Sequence, residues 1–150
     1  MAEIFTTEGL DYLLSIVPKG GTSPTTLYLG LYTSQTGSTA PTAGQTIGAG
    51  ITEAAYTNYA RVAIASTDWG TAGTKTVWGV SVRGVDGAQK SFPAATAVYA
   101  VQINGFFIST TSVVNAGNCI WASNFDGDSP VVSMAIGDQI KVTPTWGFGG

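Results

Sequence analysis

Leu27, Leu29 and Leu31 alternate with Tyr28, Gly30 and Tyr32. This period of two sends one set of side chains to a core and the other to the opposite face of a strand. Similar short segments recur along the chain, each bounded by Gly, Pro, Asn or Asp. Strands are expected over Thr26–Thr33, Tyr56–Ala65, Thr76–Arg83, Ala97–Ser109, Asn118–Ser123 and Gln139–Trp146. Ala88–Phe92 returns as a further strand after an Asp86-Gly87 turn, a pair that tolerates positive φ. Within the longest run Gly105 marks a bulge or a close backbone approach. Asn118–Ser123 is expected to carry Cys119 and Trp121 on one face. A series of short strands with turn signals between them points to a mainly β chain, one antiparallel β-sandwich or barrel-like domain.

A single short helix precedes the strands. Leu10, Leu13, Leu14 and Val17 fall at i, i+3, i+4 and i+7, an amphipathic stripe. Thr6 or Thr7 caps it, Glu8 and Asp11 sit near its positive end, and Pro18 with Gly20-Gly21 stops it. The domain organisation expected is therefore an N-terminal helical arm over 1–19 and a β-sandwich domain over 20–150. Such an arm packs either on its own core or on a neighbouring subunit. The uncharged stretch Ser34–Gly50 reads as a long loop.

Charge is scarce. Of 150 residues 10% are charged, six Lys and Arg against nine Asp and Glu for a net charge of −3, where an ordinary soluble domain has about 25%. There is no histidine, and Cys119 is the one cysteine. A Ser-His-Asp or Cys-His nucleophile, a His-ligated metal and an internal disulfide are thereby excluded within one chain. Six scattered cations make a basic nucleic-acid stripe a poor fit. No run of 18 apolar residues exists, because Gln102, Asn104, Ser109 and Asn115 interrupt the second uncharged stretch, and no charged leader precedes a signal-like segment. The chain is expected to bind neither nucleic acid nor membrane and to be made in the cytoplasm.

The candidate chemical groups are few. Asn124, Asp126 and Asp128 alternate as oxygen ligands for Ca²⁺ would, but the twelfth position of an EF-hand counted from Asn124 is Ala135, and Asp-Gly-Asp also makes a plain turn. Glu53 and Asp68 lie near strand ends, yet nothing brings them together as a glycosidase pair. The Gly44–Gly50 run leads into a strand and lacks Lys, so it is no phosphate cradle. Trp69, Trp78, Trp121 and Trp146 serve either as core and interface anchors or as a sugar-stacking surface. Cys119 reads as a buried small hydrophobe. No catalytic, cofactor-binding or metal-binding residue is assigned, and the chain is expected not to be an enzyme. With few charges to keep apolar and hydroxyl-rich faces apart, and strand edges without Lys, self-association is expected.

The ordered landmarks resemble small virion proteins of tailed bacteriophages. These are the Leu-rich helix, the Leu27-Tyr-Leu-Gly-Leu-Tyr32 strand, and Glu53 followed by Tyr59-Ala60-Arg61-Val62. Next come Phe92-Pro-Ala-Ala-Thr96, Ile103-Asn-Gly-Phe-Phe-Ile108 and the Gly137-Asp138 turn. The segment Asn115–Asn124 and the Gly-Phe-Gly-Gly end depart from that pattern. The resemblance implies a virion structural protein, and within that class a capsid decoration (cement) protein. Such a protein would bind the major capsid protein on the outer surface of the assembled head, as a homo-oligomer with a trimer favoured. The alternative it leaves is a tail-fibre, tail-tip or receptor-binding component contacting host surface sugars.

Overall fold

The computed structural model describes residues 3–5, 7–16, 18–33, 46–48, 50–77, 80–125 and 130–148. Its strands are β1 (Glu3–Phe5), β2 (Thr26–Thr33), β3 (Thr46–Ile47), β4 (Gly50–Glu53), β5 (Val62–Ala65), β6 (Gly73–Val77), β7 (Val80–Asp86), β8 (Lys90–Ser91), β9 (Gly105–Ser109), β10 (Cys119–Asn124), β11 (Lys141–Val142) and β12 (Thr145–Phe148). One helix, α1, spans Thr7–Ile16. The expected class is correct: a mainly β domain with one short N-terminal helix, its main sheet curled into a half-barrel.

The main sheet runs β1-β10-β9-β2-β4-β3, and β5 pairs the first half of β2 beside β4. All its pairings are antiparallel except β3 with β4. The alternation in β2 does what its period requires. Leu27, Leu29 and Leu31 enter the larger core with Phe106, Ile108 and Ile120, while Tyr32 enters a smaller cluster with Ile47, Ile51 and Phe107 on the other face. The sheet is therefore covered on both sides, and β9 and β10 are buried at every described position.

One irregularity overturns the expected face of β10. The register slips between Cys119 and Trp121, so Cys119 pairs Ser109 and Trp121 pairs Ile108. The extra residue of this bulge puts Ile120 and Trp121 both in the larger core, with Cys119 in the smaller cluster opposite. Gly105 marks a close approach, as one of its two readings had it. A Cβ there would lie 2.1 Å from the carbonyl oxygen of Ser123.

The helix is turned from its expected stripe. Gly9 is its buried residue, and a Cβ on it would fall 1.9 Å from the carbonyl oxygen of Ile120. The helix backbone thus lies directly on β10, with Tyr12, Leu13 and Ile16 half-buried beside the contact. Leu10 and Leu14 are exposed, and Val17 lies outside the described residues. At the helix start the Cys119 N–H donates to Glu8 Oε2 at 3.0 Å. β1 lengthens the sheet by pairing β10, so the first residues join the sheet through a strand as well as the helix.

The other expected strands are cut short or divided, and Ala97–Ser109 is strand only over Gly105–Ser109, with Tyr99 and Ile103 in isolated bridges. Tyr56–Ala65 is strand only from Val62, because Asn58 takes a left-handed φ of 75° and turns the chain. Thr76–Arg83 is part of a hairpin of β6 and β7 paired down to Val77 and Val80. No turn occurs at Asp86-Gly87. Asp86 pairs Thr145, and Gly87 instead admits Pro144, which a Cβ would meet at 2.7 Å. Pro144, without an N–H, divides the last strand into β11 and β12. Most of the Ser34–Gly50 loop, 34–45 and 49, lies outside the described residues. Among the described residues no helix is long and apolar enough to cross a membrane.

Candidate functional site

The most highly organised polar group is buried under the loop 110–118. Glu53 ends β4 and Arg61 precedes β5, and both side chains are 0% exposed. Arg61 Nε donates to Glu53 Oε1 at 2.8 Å and Nη2 to Oε2 at 2.7 Å, a two-pronged contact that suits the planar fork. Tyr59 donates its hydroxyl to Glu53 Oε1 at 2.7 Å and accepts the Leu31 N–H at 2.9 Å. The Asn115 N–H donates to Glu53 Oε2 at 2.7 Å. Arg61 Nη1 reaches Ser109 Oγ, the Thr111 carbonyl at 2.8 Å and the Ala116 carbonyl at 2.9 Å. Its guanidinium stands 5.0 Å over the Phe107 ring.

This arrangement holds a loop; it does not present a reagent. Glu53 accepts four hydrogen bonds, and Arg61 ties down two loop carbonyls that no strand satisfies. The loop turns through left-handed Asn115 and Gly117 and exposes Val113 and Val114. Burial first, and Glu53 second, push the Tyr59 hydroxyl far above the usual phenol range. Neighbouring Tyr56 is pushed up to about 12 by burial.

The remaining sequence candidates are dispersed. Asp68, weighed as a carboxylate partner of Glu53, instead binds Lys90 at 2.7 Å and accepts the Ala65 N–H. Asn124 is buried and accepts the Tyr32 hydroxyl. Asp126 and Asp128 lie outside the described residues, and among the described residues no cluster of three or more metal-ligating side chains occurs. Trp121 is core, Trp69 and Trp146 form a tilted half-buried pair at 5.9 Å, and Trp78 lies outside the described residues. Cys119 is buried, and burial with Glu8 pushes its thiol up to about 12, far from a reactive thiolate.

A shallow groove of about 390 Å³ opens between Phe125, Val131, Met134 and Ile140, with Gln139 and Lys141 among its lining residues. Sequence reasoning missed it, because Phe125 and the 131–141 stretch that line it are largely irregular and carry no strand or helix period. The Glu53–Arg61 pair had a signal: two isolated charges eight apart in an apolar setting, each needing a partner.

A model of the family described as podophage GP4 fiber I protein gp80 matches residues 6–145. The chain belongs to this family. The match runs from the residue before α1 to the first residue of β12 and so takes in Glu53, Tyr59, Arg61 and the loop they hold. A comparison with curated proteins finds no match. Membership of the fibre family makes the chain a phage virion structural protein. It also corrects the order of the two readings drawn from the resemblance. The family description names a fibre, which favours the tail-fibre alternative over the capsid decoration protein.

Proposed function

We propose that this chain is a structural component of a phage tail fibre and works by docking rather than by catalysis. The observation that carries this reading is the family match across 6–145, which leaves only short ends uncovered. The saturated hydrogen bonding of the buried carboxylate supports the non-enzymatic part, since Glu53 is engaged on both oxygens. Its partners are other virion subunits, including copies of itself. Antibody labelling of intact virions tests the reading: label confined to the tail is expected, and label over the head surface would return the chain to capsid decoration.

A contact with host surface sugars is the second reading, and the groove beside Phe125 favours it. An apolar wall with amide and ammonium groups nearby suits one face of a pyranose and its hydroxyls. Replacing exposed Gln139 and Lys141 together with Ala is expected to abolish binding of host polysaccharide in calorimetry. Unchanged binding would remove the groove from consideration.

A further inference from the structure

The segments 95–103 and 131–138 form an irregular two-stranded ribbon. Tyr99 pairs Met134 and Ile103 pairs Val131 through reciprocal backbone hydrogen bonds of 2.8–2.9 Å, and the Gly137 N–H closes the far end on the Ala95 carbonyl at 2.8 Å. Ile103 and Met134 are buried and roof the larger core. The same ribbon leaves Val98 70%, Val101 51%, Val132 67% and Ile136 69% exposed. These are half of the eight large hydrophobic side chains that the described residues expose, gathered from two segments separated by residues 104–130.

We infer that this ribbon is the surface on which further copies of the chain seat. The argument is one of charge. A rotation axis near a surface sets each residue against copies of the same neighbourhood, so a surface of one sign repels itself. The ribbon strands hold no Lys, Arg, Asp or Glu before Asp138 at their end. That makes the ribbon complementary to itself, whereas a charged partner would be stripped of water there without compensation. The other exposed aliphatic pair, Leu10 and Leu14 on α1, fails this test. Asp11, exposed three residues before Leu14, lies on the same short helix and no basic residue follows in its last turn, so copies would meet acid against acid. The neighbouring small residues Ala100, Ser133 and Ala135 are exposed as well and extend this uncharged surface. The inference does not depend on the chain's place in the virion.

Sedimentation of the intact chain tests it. The wild type is expected to be oligomeric, and Val132→Asp with Ile136→Asp to weaken assembly on the order of 100-fold, since buried unpaired carboxylates oppose association. Leu14→Asp is expected to leave assembly unchanged. Near-UV circular dichroism checks the fold of each variant. Should the double variant not fold, Val132→Cys replaces it. Because native Cys119 is buried, the new thiol is the one that an added oxidant joins between copies, and disulfide-linked species are expected. A monomeric wild type, assembly that survives the double substitution, loss of assembly in Leu14→Asp alone, or no cross-link at Val132→Cys would each overturn the inference.

Discussion

Glu53–Arg61 and Lys75–Asp86 are both carboxylate–cation contacts, at 2.7 and 2.5 Å, yet they stand in different parts of the molecule. The first lies between the main sheet and the loop 110–118, with neither side chain touching solvent. The second lies on the β6–β7 hairpin, with side chains 26% and 45% exposed. Where water can reach, it replaces a lost partner. Where it cannot, every donor and acceptor must be satisfied by protein, and the buried pair recruits Tyr59, Ser109 and three backbone groups of the loop. The difference shows how a chain with so little charge uses it. One pair organises the interior, and the other ties together an exposed hairpin.

The largest expected effect follows from breaking the buried pair. Arg61→Met leaves the Glu53 carboxyl without its main partner in a dry site, and frees the Thr111 and Ala116 carbonyls. A loss of about 3–5 kcal/mol is expected in urea unfolding, with proteolysis appearing within 110–118. Replacing both members, Glu53→Leu with Arg61→Met, is expected to cost less than the sum of the two single changes, because no unpaired charge remains. Strict additivity would mean that the two do not act as a unit.

Backbone contacts sharpen the same contrast. Gly9→Ala raises helix propensity, worth up to about 1 kcal/mol at an open site. Here the new methyl group would meet the Ile120 carbonyl at 1.9 Å. The helix must lift from β10, and a net loss of about 1–3 kcal/mol is expected. A methyl group added at Gly73 on the hairpin would meet nothing within 4 Å, so Gly73→Ala is expected to change stability by less than about 0.5 kcal/mol. Equal melting temperatures for the two variants would show that α1 does not rest on the sheet.

Much of this was legible in the sequence. The Leu27–Leu31 alternation gave β2 and its core face because a period of two leaves no other placement once one face is apolar. Gly105, lacking a side chain, signalled either a bulge or a close approach, and the carbonyl of Ser123 shows the second. The helix was found but turned, since Leu10, Leu13 and Leu14 outweigh Gly9 in any hydrophobic count, while packing was decided by what fits against a carbonyl. The Cys119 face was lost to a bulge, which adds one residue without changing composition. Glu53 and Arg61 were each visible, yet their meeting depends on the turn through Asn58, and the ribbon depends on pairing between distant segments. Sequence patterns report local periodicity; they carry little about which loops converge.

Titration separates the two regions by pH. Tyr56 and Tyr59, packed at 5.2 Å in the protected region, have hydroxyls held above their ordinary value of 10.0. Above pH 10 the unfolded chain loses these protons while the folded chain keeps them, so stability is full below pH 10 and falls as pH rises. Asp68 and Asp86 behave oppositely. Lys90, with the Ala65 N–H, and Lys75, with the Thr145 hydroxyl, hold their carboxyls below the ordinary 3.8. The folded state then binds fewer protons than the unfolded one, and stability present above about pH 4 declines as pH drops below it. The alkaline decline is expected to be the steeper, and Tyr56→Phe to flatten part of it in pH-dependent thermal melts. An alkaline limb untouched by Tyr56→Phe would mean that this phenol gains nothing from burial.

The smallest effect of breaking an ion pair belongs to Lys75→Ala. Asp86 keeps the Thr145 hydroxyl at 2.9 Å and gains water in place of the ammonium, so no charge is stranded. A partly exposed pair of this kind contributes less than about 1 kcal/mol, or roughly 2–4 °C of melting temperature at most in a chain of this size. What the pair does contribute is Coulombic across solvent, so it is expected to fade in 1 M salt, where the screening length is about 3 Å. The Arg61→Met loss, arising where salt does not enter, is expected to persist under the same conditions. If Lys75→Ala proved as damaging as Arg61→Met, or if salt erased both losses alike, burial would not be what distinguishes the two pairs.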